Sequence, residues 1–119
     1  MVGPAILVID DIKINRMIIN QMLKKLHLSA NFQKNGIEAI KAVKNRQYDL
    51  IFMDCRMPKM DGFRATCHIR KQGCKVPIIA LTACSTSEEY KRCIRSGMDD
   101  VLVKPYTVDN LENMINKWS

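Results

Sequence analysis

No apolar stretch in the 119 residues approaches the roughly 20 needed to cross a bilayer, so this segment is expected not to insert into a membrane. The opening Met1-Val2-Gly3-Pro4 runs directly into an apolar run, without a basic segment ahead of a signal-peptide core. The cysteines Cys55, Cys67, Cys74, Cys84 and Cys93 include no C-x-x-C pair, which removes support for a disulfide framework or a zinc site. They read as small packing residues in a reducing cytosol. A Gly-rich phosphate loop is also missing, so nucleotide binding has no support. Aromatics are scarce, at one Trp, three Tyr and three Phe, and none alternates with Arg or Lys. That scarcity bears on the net charge of +7, because stacking platforms for bases are not indicated and the basic residues are scattered over every predicted helix. The surplus reads as a solvated basic surface, or as attraction for an acidic protein partner, rather than as direct nucleic-acid binding.

What remains is an ordinary globular composition, 47% apolar and 26% charged. The chain has no linker, repeat or low-complexity tract, and it is expected to form one domain over residues 1–119. Apolar runs alternate with helical patterns five times. The predicted strands are Ala5–Ile9, Ala30–Gln33, Asp49–Met53, Pro77–Leu81 and Asp100–Val103. Four are continuous apolar runs, as expected of strands covered on both faces, whereas the second is short and polar, as expected of an edge. The predicted helices are Ile12–Leu26, Gly36–Arg46, Gly62–Lys71, Ser87–Ser96 and Val108–Trp118. Val108, Leu111, Ile115 and Trp118 form one stripe behind a Thr107 cap. Ser85 to Glu88 and Thr86 to Glu89 are overlapping capping-box candidates before a helix that stops at Gly97. This order implies an α/β fold, a (βα)5 doubly wound parallel sheet of the flavodoxin-like kind, with strand order 2-1-3-4-5.

Ligands in such sheets bind beyond the carboxyl ends of the strands. Asp10, Asp11, Asp54, Thr82 and Lys104 all lie at or just past those predicted ends. Three converging carboxylates repel one another unless a divalent cation lies between them. A hard ion such as Mg²⁺ suits oxygen ligands, so Asp10, Asp11, Asp54 and the backbone carbonyl of Arg56 are the candidate metal holders. Asp54 is the candidate phosphoacceptor, since a carboxylate can attack phosphorus to form an acyl phosphate. The Thr82 hydroxyl can bond a phosphoryl oxygen, and small Ala83 leaves room for the backbone to approach. Lys104 can balance the transferring group's charge. Pro105 behind it is a place for a cis peptide bond.

These residues lie in V-I-D-D-I-K-I-N-R, N-G-I-E-A, D-L-I-F-M-D-C-R-M-P-K-M-D-G, I-I-A-L-T-A, G-M-D-D and K-P-Y. Across essentially its whole length the chain resembles the receiver (phosphoacceptor) domain of two-component response regulators and hybrid histidine kinases. The resemblance implies that Asp54 takes phosphate from a phosphohistidine, that Asp10, Asp11 and Asp54 serve Mg²⁺, and that Thr82 and Lys104 sense the phosphoryl group. It implies as partner a histidine kinase or a histidine-containing phosphotransfer protein. The implied location is cytoplasmic, free-standing or as the cytoplasmic part of a membrane-bound hybrid kinase. The N-x-x-N-R-type opening and the Asp54 segment resemble receivers of hybrid kinases and phosphorelays more than those of simple DNA-binding regulators. Two positions depart from the family pattern. Ile12 stands where an asparagine is often found. Val101 replaces an aromatic whose ring swings when the threonine moves, so the aromatic-coupled output switch is not carried over. Arg56 and Cys84 flank the site at positions that tune phosphate lifetime in the family.

On the first helix Ile12, Ile18, Ile19, Met22, Leu23 and Leu26 form one broad stripe. Ile14 and Met17 fall outside it, and with Pro105 beside the pocket they are candidate docking residues. Met53, Met57, Met60 and Met98 read as packing, and His27 and His68 as surface or packing residues. On these grounds the expected module is not an enzyme, apart from catalysing its own phosphorylation and dephosphorylation. A magnesium-dependent aspartyl-phosphate phosphatase is the competing enzyme class, but Arg56 occupies the place where such enzymes carry their second acid. A never-phosphorylated interaction module is the third reading, and it would be expected to lack one of the five site residues.

Overall fold

Strands and helices alternate strictly in the structure, a computed structural model that describes residues 3–119. Met1 and Val2 of the opening segment lie outside the described residues. The elements are β1 (Ile6–Ile9), α1 (Lys13–Lys25), β2 (Ala30–Gln33), α2 (Gly36–Asn45), β3 (Leu50–Asp54), α3 (Gly62–Lys71), β4 (Ile78–Thr82), α4 (Ser87–Ser96), β5 (Asp100–Val103) and α5 (Val108–Trp118). The five strands pair in parallel in the order β2-β1-β3-β4-β5, as expected.

Alternate residues of the central strands feed two cores. Leu7, Ile9, Ile51, Met53, Ile78 and Ala80 face Ala39 of α2, Phe63, Ala65 and Ile69 of α3 and Cys93 of α4. Ile6, Val8, Leu50, Phe52, Ile79 and Leu81 face Ile19 and Leu23 of α1 and Leu111 and Ile115 of α5. A strand covered on both faces must be apolar at every position, which is why the runs show no in-out alternation. The expected methionine packing holds: Met53, Met57 and Met98 are buried, and Met60 packs against the first core. His27 and His68 are exposed.

Helix starts follow local chemistry. Asn35, Asp61, Thr86 and Thr107 each accept a hydrogen bond from the backbone N–H three residues on. Thr107 and Asn110 complete a reciprocal capping box. Of the two capping boxes expected before α4, neither forms as a reciprocal pair: Thr86 caps the helix, but the Glu89 carboxylate turns elsewhere.

Several boundaries shift. β4 begins at Ile78 rather than Pro77, because proline has no N–H to donate to the ladder. β1 begins at Ile6, while β3 and β4 each run one residue further than expected, so Asp54 and Thr82 are the last residues of their strands. α1 begins at Lys13, so Ile12 precedes the helix and does not follow its phase. The broad α1 stripe is therefore corrected: Ile19 and Leu23 are buried, whereas Ile12 (48%) and Ile18 (47%) are exposed.

Candidate functional site

Register brings the chemistry together. Ile9 pairs with Met53, Asp54 with Leu81 and Thr82 with Val103, so Asp10, Asp54, Thr82 and Lys104 lie side by side along one sheet edge. One oxygen from each of Asp10, Asp11 and Asp54 lies within 4.8 Å of the others. Lys104 Nζ is 3.4 Å from Asp10 Oδ2 and 3.7 Å from Asp54 Oδ1. One ammonium thus lies within ion-pair distance of two of the three carboxylates.

Each acid is held differently. Asp10 is buried; its Oδ1 accepts from the Ile12 N–H at 3.0 Å and from Asn15 Nδ2 at 3.5 Å, and its backbone carbonyl accepts from Arg16 Nη1 at 2.7 Å. Asp11 Oδ1 is buried with no hydrogen-bond partner. Asp54 Oδ1 accepts from the Arg56 N–H at 3.3 Å, so the Arg56 main chain is turned toward the acid. Burial, above all, pushes the Asp54 carboxyl up to about 6; Lys104 opposes the rise, and Asp10 and Asp11 add to it. The Tyr106 hydroxyl is pushed up to about 12 by burial and by Asp10 and Asp54.

An orphaned buried oxygen beside two further carboxylate oxygens is the donor set a hard divalent cation takes. Mg²⁺ therefore fits the residues present, with room in its shell for water.

Gly62, which opens α3, makes the close approach possible. A Cβ there would lie 2.2 Å from the Asp54 carbonyl oxygen, so only glycine lets the helix start against the end of β3.

Glu89 and Arg56 extend the edge from Thr82. The Thr82 hydroxyl donates to Glu89 Oε2 at 3.0 Å and accepts from the Cys84 N–H at 3.1 Å. Arg56 Nη2 lies 2.7 Å from Glu89 Oε1, and the guanidinium stacks over Phe63 at 5.5 Å. Glu89 was not among the expected site residues. Its signal in the sequence, a glutamate three places after a threonine, is the same one that marks a capping box. Asn15 and Arg16, quoted in the N-x-x-N-R-type opening, were given no role in the site; both come from the first turn of α1.

Of the expected docking residues, Ile14 (57%) and Met17 (52%) are exposed on α1, and Pro105 is exposed beside the pocket. The Lys104–Pro105 peptide is cis. A groove of about 340 Å³ between α1 and the segment joining β5 to α5 is lined by Ile18, Met22, Ala83, Lys104, Pro105 and others. A larger cleft of about 500 Å³ lies at the other end of the sheet and carries none of the clustered acids.

Residues 6–116 match the family model described as the response regulator receiver domain. The chain is a receiver domain. Among curated relatives, it is 36% identical over 114 residues to the sensor histidine kinase RcsC of Escherichia coli strain K12, covering 96% of this chain and 12% of the kinase. It is 37% identical over 118 residues to the hybrid signal transduction histidine kinase A of Dictyostelium discoideum, covering 94% of this chain and 6% of that protein. The receiver thus spans a small fraction of the length of these relatives. Among solved structures, the receiver domain of sensor histidine kinase PA1611 from Pseudomonas aeruginosa PAO1, which has a magnesium ion coordinated in its active-site cleft, is 37% identical with a TM-score of 0.90. That similarity covers 98% of this chain and 97% of that one. The co-crystal structure of the Saccharomyces cerevisiae histidine phosphotransfer protein Ypd1 with the receiver domain of Ssk1 is similar at 32% identity and a TM-score of 0.89, covering 99% and 91%. As a receiver domain the chain is a phosphoacceptor signalling module of the two-component kind.

Proposed function

We propose that Asp54 is the phosphoacceptor of this receiver and takes its phosphoryl group from a phosphohistidine in a magnesium-dependent reaction. The observation that carries the reading is the meeting of Asp10, Asp11 and Asp54 oxygens within 4.8 Å, with a buried, unpartnered oxygen on Asp11, beside Lys104. An Asp54 oxygen attacks phosphorus in line; the Oδ–P bond forms as the N–P bond of the phosphoimidazole breaks, and the imidazole leaves with the electron pair. Lys104, 3.7 Å from the attacking carboxylate, moves onto the equatorial phosphoryl oxygens. Thr82, at the end of the neighbouring strand, supplies one hydroxyl donor to the same group. Asp10, Asp11, Asp54 and the Arg56 carbonyl would hold Mg²⁺, which when bound neutralises the gathered negative charge.

The module catalyses only its own phosphorylation and dephosphorylation. Its partner is a histidine kinase or a histidine-containing phosphotransfer protein, as the yeast complex supports by likeness. The partner docks on Ile14, Met17 and Pro105, a surface that Ile18 extends to the groove beside Lys104. A cytoplasmic setting agrees with five cysteines that are all free.

Intact mass after incubation with acetyl phosphate and Mg²⁺ tests the reading. One phosphoryl group should be gained by the wild type and none by Asp54→Asn. Equal gain in both would refute it.

A further inference from the structure

Glu89 is a buried carboxylate, 5% exposed, on the first turn of α4. It spans two residues of the site. Oε1 accepts from Arg56 at 2.7 Å and Oε2 accepts from the Thr82 hydroxyl at 3.0 Å. A helix-capping glutamate at this position would instead reach back to the Thr86 N–H. The chain thus forgoes the local cap, and the side chain runs inward.

The Thr82 hydroxyl has one proton to give. In this structure Glu89 holds it. A phosphoryl group on Asp54 replaces the single charge of the carboxylate with nearly two and adds three acceptor oxygens, and Thr82 can serve one of them only by leaving Glu89. The same oxygens attract Arg56, whose side chain is 60% exposed although its guanidinium is paired with Glu89. Glu89 would then be a buried carboxylate stripped of a donor, which is unfavourable unless it moves out to water. Because it belongs to the first turn, that turn moves with it. Val101 offers no aromatic ring to carry the same message through β5.

We propose that Glu89 is the positioning residue that links the phosphorylation state of Asp54 to α4, by holding the Thr82 hydroxyl and the Arg56 guanidinium in the unphosphorylated form and losing them when phosphate arrives. The proposal rests on the phosphoacceptor reading above.

The test is amide hydrogen exchange of residues 90–96 in the full chain, with and without acetyl phosphate and Mg²⁺, and with intact mass followed in the same samples. Phosphorylated wild type should exchange these amides about tenfold faster, as expected for the loss of one hydrogen bond to a buried charge. Glu89→Ala should exchange fast in both states, leaving a ratio near one. Glu89→Gln, which keeps the shape without the charge, should fall between them. A merely structural role would speed exchange equally in both states and leave the wild-type ratio intact in the variants, overturning the proposal. A wild type that gains mass with no change in α4 would overturn it as well, while leaving the phosphoacceptor reading standing. A wild type that gains no mass takes both down. Should Glu89→Ala fail to fold, the wild-type pair and Glu89→Gln decide.

Discussion

Replacing Asp54 with asparagine removes the proposed reactive group and should nevertheless stabilise the fold when no metal is present. The Asp54 carboxyl rises from 3.8 to about 6 on folding, chiefly through burial, with Asp10 and Asp11 adding to it. A folded-state value above the unfolded one means that the native state binds the proton more tightly. The associated stability is fully present below pH 3.8 and is lost as pH rises through about 6. Taken at face value the rise corresponds to about 3 kcal/mol against the native state at pH 7.5. Water reaching the partly open edge screens part of that, so about 1–2 kcal/mol is expected. For a chain of this size that is a rise in Tm of roughly 4–8 °C. Thermal unfolding in a metal chelator at pH 7.5 measures it. Near pH 4 the difference should shrink below about 1 kcal/mol, because the wild-type carboxyl is then protonated in the fold. Millimolar Mg²⁺ should raise the wild type more than the variant, since only the wild type keeps all three carboxylates. An asparagine variant no more stable than wild type at pH 7.5 without metal would refute the reasoning.

Gly62→Ala should destabilise the fold by about 2 kcal/mol or more, because its Cβ meets the Asp54 carbonyl oxygen rather than a movable side chain; chemical denaturation would show it, with loss of acetyl phosphate labelling. The double change of Ile14 and Met17 to Glu should slow phosphoryl transfer from a phosphotransfer protein at least about tenfold, about 1.4 kcal/mol, yet leave labelling by acetyl phosphate unchanged. Asp100 accepts from the Trp118 indole at 2.9 Å, the Lys117 ammonium at 3.0 Å and the Val101 N–H at 2.8 Å, and these bonds hold its carboxyl below the usual range despite burial. A depressed carboxyl contributes stability above its unfolded value and loses it as pH falls through the lower folded value. Asp100→Asn should therefore lower Tm at pH 7, with the difference fading below about pH 3.8.

Much of this arrangement was legible because parallel sheets oblige it. Strands covered on both faces must read as unbroken apolar runs, so Ile6–Ile9 and Leu50–Met53 announce themselves, and short polar Ala30–Gln33 announces an edge. Once those strands lie in order, Asp10, Asp54, Thr82 and Lys104 meet because each ends or follows a strand. Glu89 was not legible, since a glutamate three residues after Thr86 carries the same pattern whether it caps the helix or reaches into the site. Only the three-dimensional placement of Arg56 and Thr82 decides between those uses. The exposure of Ile18 was hidden for a related reason: periodicity finds the apolar side of α1 but not how far the sheet extends beneath it.

Reduction of the phosphorylated chain with borohydride, followed by fragment sequencing by mass spectrometry, tests the central claim most directly. An acyl phosphate is converted to an alcohol, so the modified aspartate becomes homoserine at its own position. The account predicts homoserine at position 54 alone, formed only when Mg²⁺ is supplied. Homoserine at position 10 or 11, or labelling that proceeds equally well in a chelator, would contradict it.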